Sequence, residues 1–373
     1  MLNLSIGIIT THNANNYGAA LQCYAVKTVL SEFGSTHIID YQNNHVSQSL
    51  NIIRFSPSIR GLMAGGKDLL RLRSRWKVIK RFHAFAENHF DLTISGNRQE
   101  LCRNLPKFNL LVSGSDQIWN PNCVSGKNEI DPAYYLELGN PEAIFVAFSS
   151  SWGDFKFDNV TKPVMVNLLK KYHKISVRES DSKKILSEWT DQKIEHICDP
   201  TLLLDSKVWL RLVDTSVVEV ETYTNAPYLL CYSVSQHNLL KAVVAKVAEL
   251  SGLQVVLLDQ DNFFSIPNSK KITNAGPLEF IRLIANAEFV VTDSLHGLCF
   301  SLIFGKAFFS VGQGLGSNRI QSVLRDVGLL DRLTLEVDTI TTSRLVVDYV
   351  KTNKKIAELR QQAKLFVAEI FEL

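Results

Sequence analysis

Short apolar runs alternate with helix-patterned stretches along almost the whole chain, and this alternation narrows the fold more than anything else in it. The runs are too short for core helices and read as buried strands. In the first half they fall at residues 6–10, 36–40, 109–113, 143–149, 174–177 and 194–198. In the second half they fall at 228–233, 254–259, 288–292 and 307–311. Helical patterns lie between them, the first opening at Gly18 and running to about Phe33. Strands that alternate with helices build parallel sheets, so the spacing predicts an α/β protein. A chain of 373 residues suits two domains, at about 100–200 residues each. Between residues 213 and 227 the composition shifts to Thr, Val, Glu and Asn with no helical period. This predicts an N-terminal domain over 1–215, a C-terminal domain over 225–341, and a helical tail, 342–373, packing back on the first domain.

The chemistry gathers where the strands end. Strand 109–113 ends in Gly114-Ser115-Asp116, strand 174–177 in Arg178-Glu179, and strand 194–198 in Asp199-Pro200-Thr201. Strand 289–292 runs into Asp293-Ser294-Leu295-His296-Gly297, and a helix start follows. Ligands of open α/β sheets bind beyond the carboxyl ends of strands. A first helical turn also favours anions through its free N–H groups. His296 is therefore a candidate site residue, the alternative being a histidine hydrogen-bonded within the core. The Arg178 guanidinium could grip a carboxylate or phosphate through two parallel bonds, or simply pair with Glu179 or Asp181. Asp199-Pro200-Thr201 reads best as a capping turn.

Gly312-Gln313-Gly314-Leu315-Gly316 follows a strand and precedes a helix capped by Ser317 or Asn318, with Arg319 in its first turn. Such a loop can bring backbone close to a phosphate, or be only a flexible connection. Its spacing is not the dinucleotide fingerprint. Residues 61–67 match a phosphate-loop pattern, but Asp68 stands where a Ser or Thr would bind Mg²⁺. No G-x-S-x-G elbow occurs, and no His/Cys/Asp spacing implies a metal.

A net charge of +3 argues against a nucleic-acid partner. The six cysteines form no C-x-x-C pair, and a reducing cytoplasm is the compartment expected for them. The first apolar run lacks a basic leader, and no run approaches the ~18–20 residues of a membrane span. Residues 67–85 crowd Lys67, Arg71, Arg73, Arg75, Lys77, Lys80 and Arg81 around an apolar stripe of Leu69, Leu72, Trp76, Ile79 and Phe82. A basic amphipathic helix of this kind can lie on an anionic membrane surface, or pack by its apolar side with the charges in solvent.

Five segments occur in a recognisable order: Asn16-Tyr17-Gly18-Ala19-Ala20-Leu21-Gln22; Gly114-Ser115-Asp116-Gln117-Ile118-Trp119-Asn120-Pro121; Ser176-Val177-Arg178-Glu179; Asp199-Pro200-Thr201-Leu202-Leu203-Leu204; and Thr292-Asp293-Ser294-Leu295-His296-Gly297 running into Phe300-Ser301. Together, over about residues 5–330, they resemble the polysaccharide pyruvyl transferase family. The resemblance implies two Rossmann-like domains in a GT-B-like arrangement with an interdomain cleft. It implies transfer of the pyruvyl group of phosphoenolpyruvate onto a sugar of a surface polysaccharide or its lipid-linked precursor, closing a cyclic ketal. His296 would be the catalytic histidine and Arg178 would grip the donor's anionic groups. The acceptor would lie on the N-terminal side, with Gly18, Ser115, Asp116 and Trp119 as substrate-binding candidates; Ser294, Gly314, Asn318 and Arg319 are those of the donor side. Phosphoenolpyruvate enters as substrate, and no cofactor is implied. The protein would be cytoplasmic, with residues 67–85 as a possible contact to the inner membrane face.

Two departures from the pattern stand out. Many members carry an arginine where this chain has Ser294, and Arg319 and Lys306 are the sequence-nearest cations to replace it. Ala19 stands where many members have an aspartate. Two other classes stay open: a GT-B-type nucleotide-sugar glycosyltransferase, whose diphosphate the glycine loop could hold, and a non-catalytic glycan-assembly protein.

Overall fold

The structure, a computed structural model, describes residues 4–53, 66, 69–216, 223–260, 264–312 and 317–372. The chain divides into two compact units. The first comprises Met1–Leu50, Ala86–Leu204 and Ala357–Leu373; the second comprises Asn51–Phe85 and Asp205–Ile356.

The first unit is built on six parallel strands: β1 (Ser5–Ile9), β2 (Ser35–Ile38), β3 (Leu110–Ser113), β4 (Ile144–Ser150), β5 (Lys174–Val177) and β6 (Ile194–His196). Their order is β2-β1-β3-β4-β5-β6, so the winding reverses between β1 and β3. Ile6, Ile8, Leu111, Val112, Val146 and Ala147 are fully buried, as continuous apolar strands covered on both faces should be. Residues of the C-terminal helix Val350–Ile370 join this unit. Phe366 lies 6.1 Å from Phe148, ring to ring, and Arg360 donates to the carbonyls of Leu202 and Leu204.

The second unit has β7 (Tyr228–Tyr232), β8 (Gln254–Leu258), β9 (Lys270–Ile272), β10 (Phe289–Thr292), β11 (Ala307–Val311) and β12 (Leu333–Thr334), again all parallel. The order β12-β11-β10-β7-β8-β9 is the 3-2-1-4-5-6 winding of a dinucleotide-binding domain, with its reversal between β7 and β10. Strands β9 and β12 were not anticipated. One is Lys-Lys-Ile and the other two residues long, and both lie at sheet edges, where continuous burial is not required.

The segment Asn51–Phe85 belongs to this second unit, although a single division near residue 215 gives it to the first. The helix Leu72–His89 buries Val78, Ile79, Phe82 and Phe85. It runs beside the end of β9, where the Ser74 hydroxyl donates to the Thr273 carbonyl at 2.7 Å and Arg81 pairs with buried Glu279 at 3.0 Å. Three members of the expected apolar stripe, Leu69, Leu72 and Trp76, are instead exposed.

Candidate functional site

In the second unit the residues flanking the sheet reversal form a polar rim. Tyr232, Thr292 and Ser310 are in register across β7, β10 and β11, at the carboxyl ends of these strands. The helix Leu295–Ile303 starts immediately beyond β10. Ser294 is its N-cap, its hydroxyl accepting from Gly297 N–H at 3.3 Å, while its own N–H donates to the Thr292 hydroxyl at 3.0 Å. The Ser294 hydroxyl also bonds the Tyr232 phenol. That phenol is pushed well above its ordinary range by burial, with the neighbouring Asp293 charge adding to the effect. His296 follows in the first turn and is buried.

Glycine is required at 297. A Cβ there would stand 2.4 Å from the Thr292 hydroxyl oxygen, so the helix can start this close to the strand only without one. Asp293 anchors the facing loop. Its carboxylate accepts from the N–H groups of Val234 and Ser235 and from the hydroxyls of Ser233 and Ser235, at 2.5–3.1 Å. His237 lies 3.7 Å from it. The sequence motif drew attention to His296, but it is Asp293 that ties β7's loop to β10's end. The signal was an aspartate in line with a Ser-Val-Ser turn on what became the neighbouring strand.

The two cations expected to replace the missing arginine fare differently. Lys306 precedes β11, so it sits at the amino edge of the parallel sheet, about 13 Å of strand away from the His296 edge. Burial also lowers its ammonium pKa, partly offset by Glu288. Sequence proximity across a helix concealed that reversal of direction, and Lys306 is withdrawn as a replacement. Arg319 opens the helix Ser317–Val327 beyond the carboxyl end of β11, on the same edge as His296. It is half-buried, and its Nε has no hydrogen-bond partner among the described residues. The buried hydroxyls of Ser310 and Thr334 share that condition. Asn318 is exposed, and Gly314 lies outside the described residues.

The first unit has its own rim. Arg178 is 2 % exposed and surrounded by carboxylates: Glu179 at 3.0 Å on Nε, and Asp199 at 3.1 Å and Asp116 at 3.6 Å on Nη1. Burial opposes its charge, but these three anions outweigh it and hold the guanidinium more firmly protonated than usual. Only Nη2 has no partner among the described residues. Asp199 also caps the 3₁₀ turn Pro200–Leu203, accepting from the Thr201 N–H and hydroxyl. Asp116 takes a left-handed φ of 72°, uncommon for a non-glycine residue. It is fixed by a bond from the Thr11 hydroxyl at 3.0 Å and by Arg178. The buried Ser115 hydroxyl has no partner among the described residues. The Gly18 N–H is already given to Asn16, the N-cap of the helix Tyr17–Leu30.

Trp119 is corrected as a sugar platform. It is fully buried, its ring stacks on Tyr135 at 5.4 Å, and its N–H points to the Tyr134 carbonyl. A pair missed in the sequence is His12 and Asp40, joined at 3.0 Å beyond β1 and β2. Each is ordinary alone, and only the parallel pairing of those strands brings them together.

Among the described residues no group of three or more His, Cys, Asp or Glu side chains could hold a metal ion, and no helix is long and apolar enough to cross a membrane.

A solved UDP-N-acetylglucosamine 2-epimerase is similar with a TM-score of 0.53 at 13% identity, covering 99% of this chain and 95% of that one. The Neisseria meningitidis UDP-GlcNAc 2-epimerase bound to UDP-GlcNAc aligns with a TM-score of 0.49 at 11% identity, over 96% of this chain and 93% of that one. The first likeness shows the shared fold, two Rossmann-like domains of the GT-B kind, as the sequence led us to expect. No curated protein matches the chain in sequence. The polysaccharide pyruvyl transferase family matches it over residues 16–314. That stretch holds Arg178 and its three carboxylates as well as Asp293, Ser294 and His296, and the chain belongs to the polysaccharide pyruvyl transferase family.

Proposed function

We propose that the protein moves the pyruvyl group of phosphoenolpyruvate onto two hydroxyls of one sugar. One hydroxyl oxygen bonds to C2 as C3 gains a proton. The second oxygen then displaces phosphate, closing a ketal that carries a methyl and a carboxylate; one hydroxyl proton balances the methyl and the other leaves with phosphate. The observation that carries this reading is the placement of His296 in a first helical turn, directly beyond the end of β10 and beside the sheet reversal. A histidine there can give a proton to C3 or to the departing phosphate, or take one from the sugar. The donor is small and highly anionic, so its site needs N–H donors and a cation rather than a large apolar pocket. Arg319 supplies a cation on this rim. Arg178, committed to three carboxylates, acts as a positioning residue that retains Nη2 as one donor.

The acceptor is a sugar of a polysaccharide or its lipid-linked precursor. No cofactor is required by the balance of the reaction. The likeness to UDP-sugar epimerases supports a nucleotide-sugar enzyme only at the level of fold. A thermal-shift comparison separates the two readings, because a ligand raises stability only where it binds the folded state. Phosphoenolpyruvate should raise the midpoint and UDP sugars should not; the opposite pattern overturns the proposal.

A further inference from the structure

The reaction leaves a second histidine of this rim unused. His237 lies between β7 and the helix Asn238–Ser251, whose N-cap it is. Its Nδ1 accepts the Leu240 N–H at 3.3 Å. A ring nitrogen that accepts carries no proton, so the ring's proton is on Nε2 and that nitrogen is a donor. Nε2 is shut off from solvent and has no hydrogen-bond partner among the described residues. Asp293 Oδ2 lies 3.7 Å from it, beyond hydrogen-bond range, and that carboxylate already accepts from Ser233, Val234 and Ser235. A donor buried without a partner is costly, and native proteins keep few of them. The side chain retains 15 % of its surface in solvent, so the ring borders open space.

The chain leading to this ring is held firmly. Gln236, directly before it, takes a left-handed φ of 54°, which a non-glycine residue keeps only where its surroundings fix it. Its N–H donates to the Ser233 hydroxyl at 2.8 Å and its side-chain amide to Asp259 at 3.2 Å. Capping alone does not call for a histidine, because Ser, Thr, Asn and Asp are the usual caps.

We propose that His237 is a further donor-binding residue, its Nε2–H donating to an anionic oxygen of phosphoenolpyruvate; this rests on the reading of the rim as the phosphoenolpyruvate site. Arg319 Nε, beyond the end of β11, is a second donor without a hydrogen-bond partner among the described residues. Neither nitrogen can accept, so the group that completes both is rich in acceptors. Strands β7 and β11 stand two positions apart in the sheet, about 10 Å at ordinary strand spacing. Two side chains and one small molecule with an anionic group at each end can fill that gap.

Two substitutions separate the roles of the two ring nitrogens. Asparagine reaches about as far as Nδ1 and is a strong cap; glutamine reaches about as far as Nε2 and carries a donor there. Titration calorimetry with phosphoenolpyruvate and a thermal melt are made on each variant. His237→Asn should keep the wild-type midpoint and bind about tenfold or more weakly. His237→Gln should melt lower by roughly 2–4 °C, the scale of a lost cap, yet bind more tightly than His237→Asn. Wild-type affinity in His237→Asn makes the histidine a cap alone and overturns the proposal. Affinity in His237→Gln no better than in His237→Asn assigns the loss to the loop and overturns it too. A failure of the phosphoenolpyruvate reading itself shows separately, as wild-type protein that does not bind phosphoenolpyruvate, and removes this role of His237 with it.

Discussion

Gly297 and Thr292 approach so closely that a single added carbon at 297 would stand 2.4 Å from the threonine hydroxyl. That contact sets where the helix carrying His296 begins. Gly297→Ala should therefore cost about 1–3 kcal/mol, the usual penalty of overpacking. Thr292→Ala in the same chain should recover part of it. Urea denaturation of the two single variants and the double variant measures the coupling; strictly additive effects would show that the contact does not govern the helix start.

His296→Ala should lower phosphate release from phosphoenolpyruvate with a sugar acceptor by roughly 10²–10⁴-fold, the scale of a lost proton-transfer group. Its denaturation transition should remain cooperative. Turnover at the wild-type rate removes His296 from the chemistry.

Arg178→Ala leaves Asp116, Glu179 and Asp199 facing one another with their shared cation gone. Removing one partner from a buried ionic cluster costs roughly 3–5 kcal/mol. Arg178→Lys keeps the charge but loses the fork that spans the carboxylates, and should fall between wild type and the alanine variant. A fully stable alanine variant would show that the carboxylates do not depend on this guanidinium.

Asp40 gives a pH signature. Burial alone would raise its carboxyl pKa, but the His12 ring and hydrogen bonds from Ser95 and Gln42 outweigh burial and hold it below the usual carboxylate range. A depressed folded-state value means stability that is present above the unfolded value, near 3.9, and lost as pH falls through the folded one. The gap in stability between wild type and Asp40→Asn should thus hold at neutral pH and narrow progressively as pH falls below about 5. The carboxylate keeps some contact with solvent, whose screening keeps the gap small. A gap that widens on acidification contradicts the sign.

Asp293→Ala should release the loop after β7, because two N–H groups and two hydroxyls lose one acceptor together. Losing hydrogen bonds to a charged group costs about 1.5–3 kcal/mol each at most. Hydrogen exchange at Val234 and Ser235 should accelerate in the variant while exchange within β8 stays slow. Unchanged protection at both amides would assign the loop's order to other contacts.

Much of this fold could be read from the chain because a strand buried on both faces writes itself as an unbroken apolar run. Val290 and Val291 of β10 announce themselves in that way. Lys270 and Lys271 do not, since an edge strand has no such demand on its side chains, and β9 went unseen. The geometry of the candidate site was legible where one local motif held it, as with the strand end and helix start that carry Ser294, His296 and Gly297. It was not legible where two distant segments meet, as with His12 and Asp40, whose relation depends on strand pairing. Aromatic residues near strand ends misled for a physical reason: Trp119 is equally suited to a sugar face and to a core, and here Tyr135 occupies its face. Lys306 misled because ten residues of helix and turn carry the chain from one edge of the sheet back to the other.

The helix Leu72–His89 comes from the early part of the sequence yet holds the residues that follow β9 in the second sheet: Ser74 donates to the Thr273 carbonyl, and Arg81 to the Asn274 carbonyl and the buried Glu279 carboxylate. A protein cut at residue 205 would thus yield a C-terminal piece whose Glu279 has lost the guanidinium opposite it. Removing one partner of a buried ion pair is costly, and the second half of this gene should not fold well by itself.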